Sequence, residues 1–198
     1  MSFHYLNTGI NNMNRWLNLS KNIDNLNKKT AKISNISVIL MIIIGFWNVL
    51  GRYIGALLGY KLSSNLFIEA QWYLFEIICL LGFSWTLKTQ RHVRVDVLQS
   101  KFNKRTKLKI ELIGNLFLLL PFAIGVFLIS IEPATNSFII GESSPDPNGL
   151  PRYWAKILIP TGFCLLSLQA FSESIKELAK LKNMNTSSNQ NSDKLMEK

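Results

Sequence analysis

Residues 33–54, ISNISVILMIIIGFWNVLGRYI, decide the fold class. The run carries one charged residue, Arg52, and at about 1.5 Å per residue a helix of this length crosses a hydrocarbon layer roughly 30 Å thick. Three further apolar runs follow at about 67–87, 110–131 and 157–175. Over the full 198 residues 48% are hydrophobic and only 17% charged, below the roughly 25% of soluble domains, and the charges fall in blocks between the runs. The chain therefore reads as an all-α membrane protein with four transmembrane helices. An even number of spans returns both termini to one side.

Which side follows from the basic residues beside the spans. The segment before span one carries Arg15, Lys21, Lys28, Lys29 and Lys32. The connection between spans two and three carries Lys88, Arg91, Arg94, Lys101, Lys104, Arg105, Lys107 and Lys109. The first outer connection has only Arg52 and Lys61, and the second has Arg152 and Lys156 set against Glu132, Glu142 and Asp146. Both termini and the middle connection are thus expected in the cytoplasm. The net charge of +10 belongs to that membrane face, and no nucleic-acid partner is expected.

Three units follow: a cytoplasmic segment 1–32, a four-span domain 33–182 and a polar tail 183–198 expected to be disordered. Segment 1–32 has no stretch suited to a cleaved signal. Trp16, Leu19, Ile23 and Leu26 recur there at helical spacing between polar residues, which predicts an amphipathic helix lying among lipid headgroups; a partly ordered tail is the plainer option. Between spans two and three, Val93, Val95 and Val97 alternate with His92, Arg94 and Asp96 as in a strand, but a lone strand beside a membrane has nothing to pair with. A short interfacial helix near Asp96, followed by a polar turn at 103–106, is the preferred reading.

Polar groups inside the runs are the candidate site residues. Glu76 falls near the middle of span two, where an acidic side chain costs about 2.5 to 3.5 kcal/mol to insert. It must face protein or water, as a carboxyl bonded to a neighbouring helix, as an ion or proton ligand, or in a wet cleft. Glu69 lies seven residues earlier on the same face. Arg52, one turn after Asn48, suits a lipid phosphate, a carboxylate such as Glu69, or an anionic solute. Gly51, Gly55 and Gly59 repeat every four residues and would permit close helix approach. Cys79 and Cys164 sit inside apolar runs and read as small buried hydrophobes. His4 and His92 are the only histidines and neither is at membrane depth, which argues against a haem bundle. The sequence also lacks a phosphate-binding loop, a Cys and His metal cluster and a nucleophile with a base, so no enzyme activity and no cofactor are expected.

Several blocks resemble a known family. They are Glu69-Ala70-Gln71-Trp72-Tyr73-Leu74-Phe75, Ser84-Trp85-Thr86-Leu87-Lys88, and Gln90-Arg91-His92-Val93-Arg94-Val95-Asp96-Val97. Gly141-Glu142-Ser143-Ser144, Asn148-Gly149-Leu150 with Arg152, Lys156 to Pro160, and Leu168 to Glu173 continue the match. Together they resemble the small permease subunit of tripartite ATP-independent periplasmic (TRAP) transporters, the DctQ-like family, over about 32–182, and most closely its mannitol, chloroaromatic and 2-oxo-acid branch. Pro145, Pro147 and Glu76 depart from the family pattern.

The resemblance implies a four-helix scaffold in the bacterial inner membrane. It would brace a large permease subunit, which carries the solute and ion sites of this secondary transporter, and help dock a periplasmic solute-binding protein. Arg52, Glu69, Gln71, Trp72, Glu76, Arg91, His92, Arg94 and Asp96 are then candidates for the large-subunit or lipid interface, and Glu142, Asp146 and Arg152 for docking. Two other classes stay open: a small exporter assembled as a homo-oligomer around Glu76, and a membrane assembly factor.

Overall fold

The computed structural model describes residues 2–60, 62–89 and 102–196. Among them are four long helices: α1 (Ser2–Leu58), α2 (Asn65–Lys88), α3 (Lys104–Ile139) and α4 (Tyr153–Met196). All four are long and apolar enough to span a membrane, and the described residues contain no strand beyond one isolated bridge between Ser143 and Pro151.

Helix α1 is unbroken for 57 residues, so residues 2–32 continue into the first apolar run as one helix. No proline or glycine falls between residues 10 and 44, and a helix nucleated in the apolar run extends through the polar segment at little cost. It stops at Gly59, whose φ of 76° reverses the chain while the Tyr60 N–H bonds the Gly55 carbonyl at 3.0 Å. Gly51 and Gly55 serve that turn. A Cβ on Gly51 would meet the Leu62 carbonyl oxygen at 3.0 Å, and one on Gly55 would strike the carbonyl of Tyr60. The glycine repeat admits the returning connection here, rather than another helix.

Helix α2 starts at the N-cap Ser64, whose hydroxyl accepts the Leu66 N–H at 3.4 Å. Helix α3 begins at Lys104, so most of the polar turn expected at 103–106 is already helical. Its turn over Gly114–Leu119 is a π-helix, immediately before Pro121. Pro121 has no N–H to give the preceding turn, and the wider turn accommodates the lost bond. Gly141, at φ 61°, ends α3 as Gly59 ends α1, with the Glu142 N–H on the Ser137 carbonyl at 3.0 Å. Helix α4 runs on to Met196, so 183–196 continue a helix where a disordered tail is expected; no proline or glycine follows Gly162 to stop it.

Helix α4 is the centre of the bundle. It packs on α1, α2 and α3, while α1 and α2 pack on each other and α3 attaches through α4. At the α2–α4 crossing Gly162 faces Leu80 so closely that a Cβ there would lie 2.6 Å from the Leu80 Cβ. Phe163 beside it meets Phe83 of α2 and Phe122 of α3 edge-on, with ring centroids 6.4 and 6.1 Å apart. The first half of α1 meets the middle of α4 through Ser20 with Ser172 and Asn27 with Gln169, and the part of the bundle from there toward the two termini is here the termini end. The connections 59–64 and 140–152 form the opposite, loop end.

Candidate functional site

At the loop end the chain ties its second connection to α2. Glu69, on the second turn of α2, is only 5% exposed. Ser144 Oγ donates to Glu69 Oε1 and the Leu150 N–H to Oε2, so both carboxylate oxygens are engaged by the loop. One turn along α2, the Tyr73 hydroxyl donates to the Pro151 carbonyl at 3.1 Å. Gly149 lies where a Cβ would be 2.7 Å from Glu69 Oε1, which explains a residue without a side chain there. Asn148 takes a left-handed φ of 62°, a conformation that asparagine tolerates better than most residues.

Glu142 closes the loop from the other side. Its Oε2 accepts from Ser137 Oγ at 2.6 Å and from Lys156 Nζ, and its backbone carbonyl accepts the Arg152 N–H at 2.8 Å. Those two side-chain hydrogen bonds, aided by the charges of Lys156 and Arg152, hold the Glu142 carboxyl below its ordinary range. Glu142 is therefore spent on bracing the loop. Asp146 and Arg152 are exposed on it.

The other candidates separate. Arg52 makes no ion pair with a described residue and lines a polar pocket with Asn48 and Asn65. Glu69 is held by Ser144 and Leu150, and the cation acting on it is Arg152. Gln71 donates to the Phe67 carbonyl at 3.1 Å and turns its Oε1 toward Gly45 of α1, so it belongs to the α1–α2 contact. Trp72 is exposed, and half-buried Glu76 has no hydrogen bond to a described residue. Arg91, His92, Arg94 and Asp96, with the interfacial helix expected there, lie outside the described residues.

The termini end holds a second polar cluster that the sequence reading passed over. Lys176 Nζ sits 2.8 Å from both carboxylate oxygens of Asp24 and 2.8 Å from Glu173 Oε1, and Lys88 approaches Asp24 at 3.4 Å. Gln169 is fully buried; its Nε2 donates to Asp24 and Glu173, and its Oε1 accepts from Asn27 Nδ2 at 2.6 Å. Ser20 and Ser172 share a 2.6 Å hydrogen bond, and Ser34 Oγ donates to the Ile78 carbonyl at 3.1 Å. The signal was present in the seven-residue recurrence of Ser20, Asn27 and Ser34, a heptad written in small and polar residues. Further along the bundle Asn115, inside the π-helical turn of α3, donates to Glu177 Oε1 at 3.0 Å.

One polar tie thus fixes a loop and another clamps three helices. A family model described as "Tripartite ATP-independent periplasmic transporters, DctQ component" matches residues 41–180. No curated protein and no solved structure matches the chain.

Proposed function

Because the chain belongs to the DctQ family, the small membrane component of tripartite ATP-independent periplasmic transporters, we propose that it braces a large permease subunit and helps receive a periplasmic solute-binding protein, serving ion-driven uptake of an organic acid or related solute. The positive-inside rule supports termini in the cytoplasm and the loop end in the periplasm of a bacterial inner membrane. The observation that carries the docking part is the loop tied to Glu69 and braced through Glu142, which offers exposed Asp146 and Arg152 on a fixed backbone. A preordered loop loses little conformational entropy when a partner lands on it. Rim charges such as these act mainly on association rate and salt dependence.

Trp72 and Glu76 on α2 are the proposed contact with the large subunit. A half-buried carboxyl in a membrane span, without a donor among the described residues, is best accommodated by a donor on another chain. Reconstituted vesicles test both assignments. Asp146→Lys should raise the binding-protein concentration needed for half-maximal uptake while leaving subunit copurification intact. Glu76→Gln, which keeps a hydrogen-bonding group, should retain most uptake with its ion dependence unchanged. Uptake unaltered at every binding-protein concentration would move docking to the large subunit. Complete loss in a normally assembled Glu76→Gln complex would favour the ion-coupling role.

A further inference from the structure

We propose that Glu177 and Asn115 form a proton-operated latch: a neutral Glu177 holds the first part of α3 on α4, and its ionisation releases that part about the π-helical turn. The device lies within one chain and is separate from the docking and large-subunit contacts proposed above.

Glu177 follows the fourth apolar run, 157–175, on α4 and is only 2% exposed. Its Oε1 accepts from Asn115 Nδ2 at 3.0 Å, whereas Oε2 is sealed off with no hydrogen-bond partner among the described residues. Around it stand Glu111 on α3 and Glu173 and Lys180 on its own helix. Asp24 of α1 and Lys88 of α2 are engaged with each other, and Asp24 also with Lys176. One neutral donor and one lysine, offset by two carboxylates, do little for a charge kept from solvent. A water lodged at Oε2 would bring a dipole but no counter-charge. Burial therefore lifts the Glu177 carboxyl from the ordinary 4.5 to about 7; Asn115 and Lys180 oppose the rise, and Glu111 and Glu173 add to it.

When the charge forms, the side that gives way is α3. Helix α4 is held: Lys176, next to Glu177, joins Glu173 to Asp24 of α1, and Lys88 of α2 reaches the same Asp24. By contrast, the stretch Lys104–Ile113 of α3 has no buried residue and packs chiefly on α4. Beyond the Asn115 bond, an exposed hydrogen bond from Arg105 Nη2 to the Met184 carbonyl at 3.0 Å ties it down. Asn115 itself sits in the π-helical turn Gly114–Leu119, where a Cβ on Gly114 would meet nothing and Pro121 just beyond offers no N–H. Turns of this kind are where helices bend. Loss of the Asn115 bond thus frees a short helical arm with a hinge at its root. Closure is strongest in acid. It weakens as pH rises above 4.5, where the released carboxyl ionises, and levels off beyond about 7, where the closed one ionises too.

The test is hydrogen exchange read by mass spectrometry on the full chain in detergent at pH 6 and pH 8, corrected for the pH dependence of chemical exchange. Protection over 104–119 should fall roughly tenfold from pH 6 to pH 8, as a carboxyl at about 7 closed and 4.5 open requires, while 122–139 keeps its protection. Glu177→Gln, which still accepts from Asn115 but cannot ionise, should abolish that fall. Asn115→Ala should lower protection over 104–119 at both pH values. Equal protection of 104–119 at the two pH values in the unaltered chain overturns the proposal, and that comparison stands even if Glu177→Gln does not fold. A fall that persists in a folded Glu177→Gln chain also overturns it, as does parental protection in a folded Asn115→Ala chain. A fall that spreads equally through 122–139 removes the hinge and overturns it as well.

Discussion

Glu69 shows how one carboxylate can fix a connection whose ends are far apart in sequence. Its partners, Ser144 and Leu150, are 75 and 81 residues away. Glu69→Ala removes the acceptor of both the Ser144 hydroxyl and the Leu150 N–H and should lower stability and free the loop. Gly149→Ala should cost about 1–3 kcal/mol by pushing a methyl group into the same contact. Melting of the detergent-solubilised chain, with limited proteolysis inside 140–152, reads both; an unchanged melting temperature and cleavage rate would show the tie to be dispensable. Glu142 gives an acid-sensitive counterpart. Its carboxyl is held below the ordinary value of 4.5, so its contribution is complete above about pH 4.5 and is lost as pH falls through the lower folded value. Glu142→Gln should therefore melt lower than the parent at pH 7, and the gap should close on acidification. The sequence disclosed Glu69, Glu142 and Arg152 as polar residues at a span's edge. It did not disclose that Glu69 would meet Ser144 in place of Arg52, because a pairing across 75 residues depends on how three helices pack.

The helices themselves were legible because the bilayer imposes a length and an apolar composition on any span. Their faces were not. The stripe Trp16, Leu19, Ile23 and Leu26 looked like a side to be covered, yet Trp16, Leu19 and Leu26 stay exposed and Ser20 and Asn27 are buried beside Ile23. The face that packs is chosen by what α4 presents opposite it, Ser172 and Gln169, which small and polar residues of α1 can meet with hydrogen bonds. Helix continuity was hidden for a related reason: the change from apolar to polar at residue 32 marks a change of solvent, and the backbone passes through it without a break. The Asn27–Gln169 pair tests the polar clamp between α1 and α4. A double-mutant cycle with Asn27→Ala and Gln169→Ala should show a coupling of about 0.5–3 kcal/mol in thermal unfolding. A coupling near zero would mean that Asp24 and Lys176 hold the helices without them.

For the whole molecule, the proposed orientation rests on the basic middle connection and the acidic outer loop. Single cysteines at positions 104 and 146, in a chain lacking Cys79 and Cys164, should react differently with an impermeant thiol reagent in cells with a permeable outer membrane: strongly at 146, and at 104 only after lysis. The reverse pattern would invert the topology. The buried polar face of α1 has a further consequence, for the order in which the protein is made. Ser20 and Asn27 leave the ribosome early, but their partners Ser172 and Gln169 are 152 and 142 residues downstream. At about 5–20 residues per second, the first half of α1 waits roughly 7–30 s without the partners of its amides and hydroxyls. Helix α2 can settle on α1 during that interval, but the clamp closes only when α4 has been synthesised. A nascent chain that stops before residue 169 keeps an exposed row of hydrogen-bonding groups, a mark by which quality-control proteases can tell an unfinished copy from a complete one.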